Sequence, residues 1–93
     1  MKIEQEGLGV SYELPDFWQR DVEEFWNIRR ELDGGDRLSG TERNGNIVRA
    51  AARLGWLEGL KEKDVDDMRP NAVSWLANAI ADAIAKAFEV PGE

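Results

Sequence analysis

Residues 71–88, NAVSWLANAIADAIAKAF, decide the fold. Val73, Leu76, Ala77, Ile80, Ala83, Ile84, Ala87 and Phe88 recur at helical spacing on one side of a wheel, whereas Asn71, Ser74, Asn78, Asp82 and Lys86 share the other. The period predicts an amphipathic helix over 70–89. Pro70 suits a first turn, where its missing N–H would be unpaired anyway, and Asp66 and Asp67 place anions near the positive end of the helix dipole. Pro91 and Gly92 supply the stop. The alanines from Ala72 to Ala87 let a neighbouring helix approach closely. Trp75 falls among the polar positions, so it either packs beneath the N-terminal segment or stands out as an anchor for another chain, a role in which Trp is enriched.

Upstream of this helix, residues 61–67 are a charged connector, and Trp56, Leu57 and Leu60 form an apolar turn expected to fold back on the core after a stop at Gly55. A second helix is expected over 41–55, capped by Ser39 with Glu42 or by Thr41 with Asn44. Its apolar stripe is Ile47, Ala50, Ala51 and Leu54, with Asn46, Arg49 and Arg53 on another face; Gly45 weakens its first turn. A glycine-rich linker precedes it. The first helix is expected over 16–33, from a capping pair of Asp16 and Gln19 to Gly34 and Gly35. Phe17, Trp18, Val22, Phe25, Trp26, Ile28 and Leu32 cover about half of its circumference, wider than one packing partner needs. Trp18 and Trp26 sit at the two flanks of that stripe, either as core or as surface left for a partner. In residues 1–14, Leu8, Val10, Tyr12 and Leu14 alternate with Gly9, Ser11 and Glu13, and Ile3 and Gln5 could pair back as a hairpin. A lone hairpin is marginal in water and must lie on helices or join a strand from another molecule. The expected architecture is mainly α: one domain, 1–93, of three main helices with a short N-terminal β-hairpin or strand.

With 93 residues, 42% hydrophobic and 33% charged, the chain has the composition of a single folded globule. The absence of Cys and His removes thiol nucleophiles, Cys/His zinc sites, imidazole acid–base chemistry and the usual serine triad. No glycine pattern suits a phosphate loop, and the acids of residues 61–67 lack the Gly and closing Glu of a calcium loop. The reading is of no enzyme, no cofactor and no metal. Net charge is -7, which disfavours phosphate backbones and anionic lipid, but residues 37–56 form a basic island of net +3 between flanks of -6 and -4. That island either pairs with its acidic flanks or recruits an acidic partner. No signal-like segment or membrane span is read, which points to the cytoplasm.

The run Val65, Asp66, Asp67, Met68, Arg69, Pro70, then Ala72, Val73, Ser74, Trp75, Leu76 and the helix leading to Val90, Pro91, Gly92 and Glu93 resembles small proteins encoded in the tail-gene clusters of long-tailed phages and prophages, the tail assembly chaperones. It is a likeness of composition and order over residues 50–93. The resemblance implies a helical, non-enzymatic protein that binds the tape-measure protein and tail-tube subunits in the host cytoplasm; it transfers no individual residue role.

The function expected is therefore a phage-related assembly or interaction protein with a protein partner, or a homo-oligomer, whose candidate contact residues are Trp18, Trp26, Trp75, Arg49 and Arg53. Two alternatives are a small nucleic-acid-binding regulator using the basic helix 41–55, and an acidic inhibitory, antitoxin-like binder.

Overall fold

The computed structural model describes residues 1–35 and 37–89. An antiparallel hairpin, β1 (Lys2–Gln5) and β2 (Val10–Glu13), is followed by helices α1 (Gln19–Asp33), α2 (Gly40–Arg53) and α3 (Pro70–Ala87), with 3-10 turns at Glu6–Leu8 and Glu62–Asp67. The protein is mainly α, with three helices and one two-stranded sheet among the described residues.

Helix α2 is the centre, packed against α1, α3 and the turn Glu62–Asp67 together. Its start follows the Ser39–Glu42 capping box: Ser39 Oγ accepts the Glu42 N–H at 3.2 Å, and the Glu42 carboxylate accepts the Ser39 N–H at 3.4 Å. Its end is a Schellman motif. Gly55 takes the left-handed φ of 78°, donating its N–H to Ala52 while Trp56 donates to Ala51, each at 3.0 Å. This turn drives the Trp56 ring into the core, stacked on Phe25 at 5.2 Å and against Phe17 at 4.5 Å.

Helix α1 begins three residues later than the expected cap at Asp16, because Asp16 and Phe17 stay outside the helix and Phe17 turns inward onto Trp56. Asp21 accepts the Trp18 N–H at 3.0 Å instead. Helix α3 corrects a second expectation: Arg69 stands at its N-cap without a side-chain cap, while Asp66 turns away to pair with Arg49. The stop assigned to Pro91 and Gly92 lies outside the described residues. The hairpin rests along α3. Val10 and Tyr12 lie beside Met68 and Ala72, and Met1 and Pro15 lie beside Ala83 and Ala87.

Ile3, Val10 and Leu14 from the hairpin, Val22 and Phe25 from α1, Val48, Ala50 and Ala51 from α2, and Val73, Leu76, Ile80 and Ile84 from α3 enclose one core. Two positions differ from the wheel drawn on the sequence: Ala87 and Phe88 lie on the apolar side of α3 but are exposed. Helix α3 has 18 residues against 14 in α2, about 27 Å against about 21 Å, and its last buried side chain is Ile84.

Ile80 is fully enclosed, whereas Asp82, two residues on, faces solvent. Ile80→Ala should lower the unfolding free energy by about 2–5 kcal/mol through lost burial and a residual cavity. Asp82→Ala should stay within about 0.5 kcal/mol. Urea denaturation of both variants would check this, and equal, small losses would put the wrong face inside.

Candidate functional site

The aromatic stripe of α1 is divided by depth. Phe25 is buried, Phe17 and Ile28 are half-buried, and the two tryptophans lie outside. Trp18 is 67% exposed. Its position follows from the chain around it: Leu14 is anchored in the core, Pro15 ends the strand, Phe17 turns inward, and the next side chain in the extended backbone points away. The backbone of Trp18 is pinned at the same time, its N–H held by Asp21 and its carbonyl accepting from Asp21 and Val22 at 3.0 and 3.2 Å. An indole has no acceptor to complete a capping box, so its ring is left on the surface. Gln19 and Arg20 line the shallow depression next to it.

Met1, Pro15, Asp16 and Phe17 form one wall of a groove of about 180 Å³ whose other wall is Ala83, Lys86 and Ala87. Trp18 follows Phe17 in the chain, and Phe88, 61% exposed, follows Ala87. Met1 is exposed as well. The groove thus has an exposed methionine in its lining, the charged Asp16 and Lys86 beside it, and an exposed aromatic next in the chain to Phe17 and to Ala87.

The other sequence candidates are placed differently. Trp26 is 37% exposed, but its ring packs edge-on against Phe25 at 5.3 Å and carries the Arg29 guanidinium at 5.0 Å, a cation–π contact. Trp75 is half-buried and packed against the core. Arg49 pairs with Asp66 at 2.6 Å, and Arg53 pairs with Glu62, so both arginines of the basic island are joined to the acidic turn Glu62–Asp67. Phe88 and Met1 were not singled out on the sequence; the available signal was that Phe88 lies one turn beyond Ile84, the last enclosed side chain of α3.

Arg49 also belongs to an inner chain of polar contacts. Asn46, only 7% exposed, receives the Arg49 Nη1–H on its Oδ1 at 3.0 Å and donates its own Nδ2–H to Asp33 Oδ1 at 2.7 Å. Arg29 completes the chain through a 3.5 Å pair with Asp33. A Cβ at Gly45 would lie 2.9 Å from Arg49 Nη1, so a larger residue there would oblige the guanidinium to shift within this chain of contacts. The network therefore ties the end of α1 to α2 and to the turn before α3.

A further groove, about 320 Å³, runs between the hairpin and the chain entering α3, lined by Leu8, Val10, Tyr12, Leu60, Met68 and Arg69. Burial, reinforced by the charge of Asp64, raises the Tyr12 phenol above its ordinary value of 10.0. Among the described residues no group of three or more acids could hold a metal ion, and no helix is long and apolar enough to cross a membrane.

Asn46→Ala removes both amide contacts and leaves Asp33 and Arg49 short of partners, so it should cost about 1–3 kcal/mol in chemical denaturation. A loss below about 0.5 kcal/mol would mean that water replaces the amide fully. Tyr12 is the one tyrosine of the chain, so ultraviolet difference absorbance reads it directly. Because its folded value lies above the unfolded one, its contribution to stability is complete below the unfolded value and is lost as pH rises through the folded value. Its titration should lie above pH 10.0 and drop to that value on unfolding, with Asp64→Asn removing the smaller part of the shift.

No protein-family model matches the sequence, and neither a curated protein nor a solved structure matches the chain; none of the three comparisons identifies a tail-assembly family.

Proposed function

We infer that this chain is a non-catalytic protein-interaction domain whose contact surface is the end carrying Trp18, Phe88 and Met1. The observation that supports the reading most is Trp18 itself: a large apolar ring, 67% exposed, on a backbone already fixed by Asp21. Binding to such an anchor costs little ordering, and a desolvated Trp at the centre of an interface is a common hot spot. The groove beside it, bounded by Phe17 and the alanines of α3, suits an apolar side chain of a partner helix. The specific form proposed is the one the C-terminal resemblance implies, a cytoplasmic tail assembly chaperone that covers apolar helices of a tape-measure or tail-tube client. Arg49 and Arg53 are engaged in internal pairs, and this gives the nucleic-acid alternative no support.

The test is to establish the gene neighbours and to co-express the full chain with a tape-measure and a tube protein found among them, followed by affinity capture and titration. Trp18→Ala should weaken capture by about 2 kcal/mol or more, roughly thirtyfold, without shifting the thermal midpoint. Trp75→Ala should lower the midpoint instead. Capture unchanged in the Trp18→Ala, Phe88→Ala double variant would overturn the assignment of this surface. Gene neighbours unrelated to tails would overturn the chaperone form while leaving the interaction surface testable.

A further inference from the structure

The register of the hairpin fixes which backbone groups face outward. Lys2 lies opposite Glu13, Ile3 opposite Tyr12, Glu4 opposite Ser11 and Gln5 opposite Val10. The next pair in that register, Met1 with Leu14, is hydrogen-bonded, the Leu14 N–H donating to the Met1 carbonyl at 2.8 Å. Hydrogen-bonded and non-bonded pairs alternate in an antiparallel ladder, so Ile3 with Tyr12 and Gln5 with Val10 are bonded pairs. The N–H and C=O of Lys2 and Glu4 therefore point away from β2, along the free edge of the sheet. Among the described residues no other backbone group or side chain bonds to them. Ile3 turns its side chain into the core, and the side chains of Lys2 and Glu4 lie on the solvent face, 61% and 55% exposed and 3.4 Å apart.

We propose that the β1 edge is a homodimer interface: two copies pair β1 antiparallel to β1 about a two-fold axis at Ile3, joining two hairpins into one four-stranded sheet. Pairing about Ile3 sets Lys2 opposite Glu4 of the second copy and Glu4 opposite its Lys2. Both outward-pointing residues then exchange N–H and C=O bonds, four in all, and unlike charges meet directly across the strands on the solvent face. The choice of a second copy rests on this charge complementarity. An axis at Lys2 or at Glu4 would instead oppose identical charges. The outer edge of β2 offers no equivalent, because its outward residues are Ser11 and Glu13, which pair as hydroxyl with carboxylate or as two like acids. Pairing of β1 with β2 of another copy is heterologous and leaves edges open, whereas the β1 pair closes on itself. The alternating charges that make the edge self-complementary also discourage pairing with arbitrary apolar strands. The pairing about Ile3 uses neither Trp18 nor Phe88, although Met1, beside Lys2, adjoins both surfaces.

The experiment is sedimentation of the full chain over a concentration series at low salt, with Lys2→Glu, Glu4→Lys and the double variant carrying both reversals. The wild type should pass from monomer to dimer. Each single reversal sets like charges opposite each other twice, once on each side of the axis, and should weaken dimerisation about tenfold or more. The double variant restores unlike pairs and should recover the wild-type constant. Circular dichroism should show the same helical content in all four chains, since both side chains lie on the solvent face. A wild type that remains monomeric to roughly millimolar concentration would overturn the proposal. So would a dimer that ignores all three variants or is abolished by Trp18→Ala, and so would a double variant that fails to recover.

Discussion

A helix packed on several sides at once must be thin, and that constraint on α2 organises the molecule. Helix α1, helix α3 and the turn Glu62–Asp67 all contact it, and Gly45, Asn46, Val48, Ala50, Ala51 and Ala52 are buried along its length. Larger side chains there would push the outer elements apart and open cavities between them, because protein interiors leave little spare volume. The single buried polar side chain on this helix, Asn46, is tolerated because Asp33 and Arg49 satisfy its amide. Close packing also holds these polar groups away from water, which strengthens their contacts and makes any one of them costly to leave unpaired.

The second organising feature is the turn that ends α2. Only a residue free to adopt positive φ places the following N–H on Ala51, and Gly55 supplies that freedom. The chain then re-enters the core with Trp56 between Phe17 and Phe25. Two rings of α1 and its entry segment are consumed by this one indole, and a third, Trp26, is partly covered by Phe25 and Arg29. Trp18 is the ring left over. The width of the aromatic stripe is thus accounted for by an aromatic stack on one side and an unpartnered side chain on the other.

The parts of this fold that were legible in the sequence are those set by local chemistry. The period of α3, the Ser39–Glu42 box, the Gly34 and Gly55 stops and the hairpin alternation each depend on residues a few positions apart, and each is present. What the sequence concealed depends on tertiary neighbours. Asn46 and Arg49 read as an outer face because they are polar, yet α1 and the acidic turn close over that side. Val48 and Ala52 lay outside the predicted stripe for the same reason: a helix covered on several sides has no single apolar face to read. Phe88 shows the reverse failure. Its angular position is correct for the core, but no period reveals where the neighbouring helix stops. In the candidate site, Trp18 could be marked as a flank of the stripe, while its separation from Trp26 and Trp75 required knowing that Trp56 arrives from a later segment.

Charge and exposed aromatic surface differ in how far from the molecule they act. Arg29, Arg49 and Arg53 are each committed to a carboxylate of the same chain, and such pairs add little to the field far from the molecule. The net charge of -7 remains, so long-range attraction favours cationic partners and opposes polyanions. Screening confines that influence to about 8–10 Å at physiological salt, where it alters encounter rate more than lifetime. Lifetime depends on desolvated contact, and among the described residues the most exposed large apolar side chains are Trp18 and Phe88, each next in the chain to a residue lining the groove between Phe17 and α3. The sequence features that keep Trp18 there, a proline that ends the strand and an inward Phe17 that satisfies Trp56, belong to the core. The backbone position of Trp18 is therefore set by the packing of Phe17 against Trp56 and by the Asp21 carboxylate on its N–H, so the same contacts that build the core place this indole on the surface.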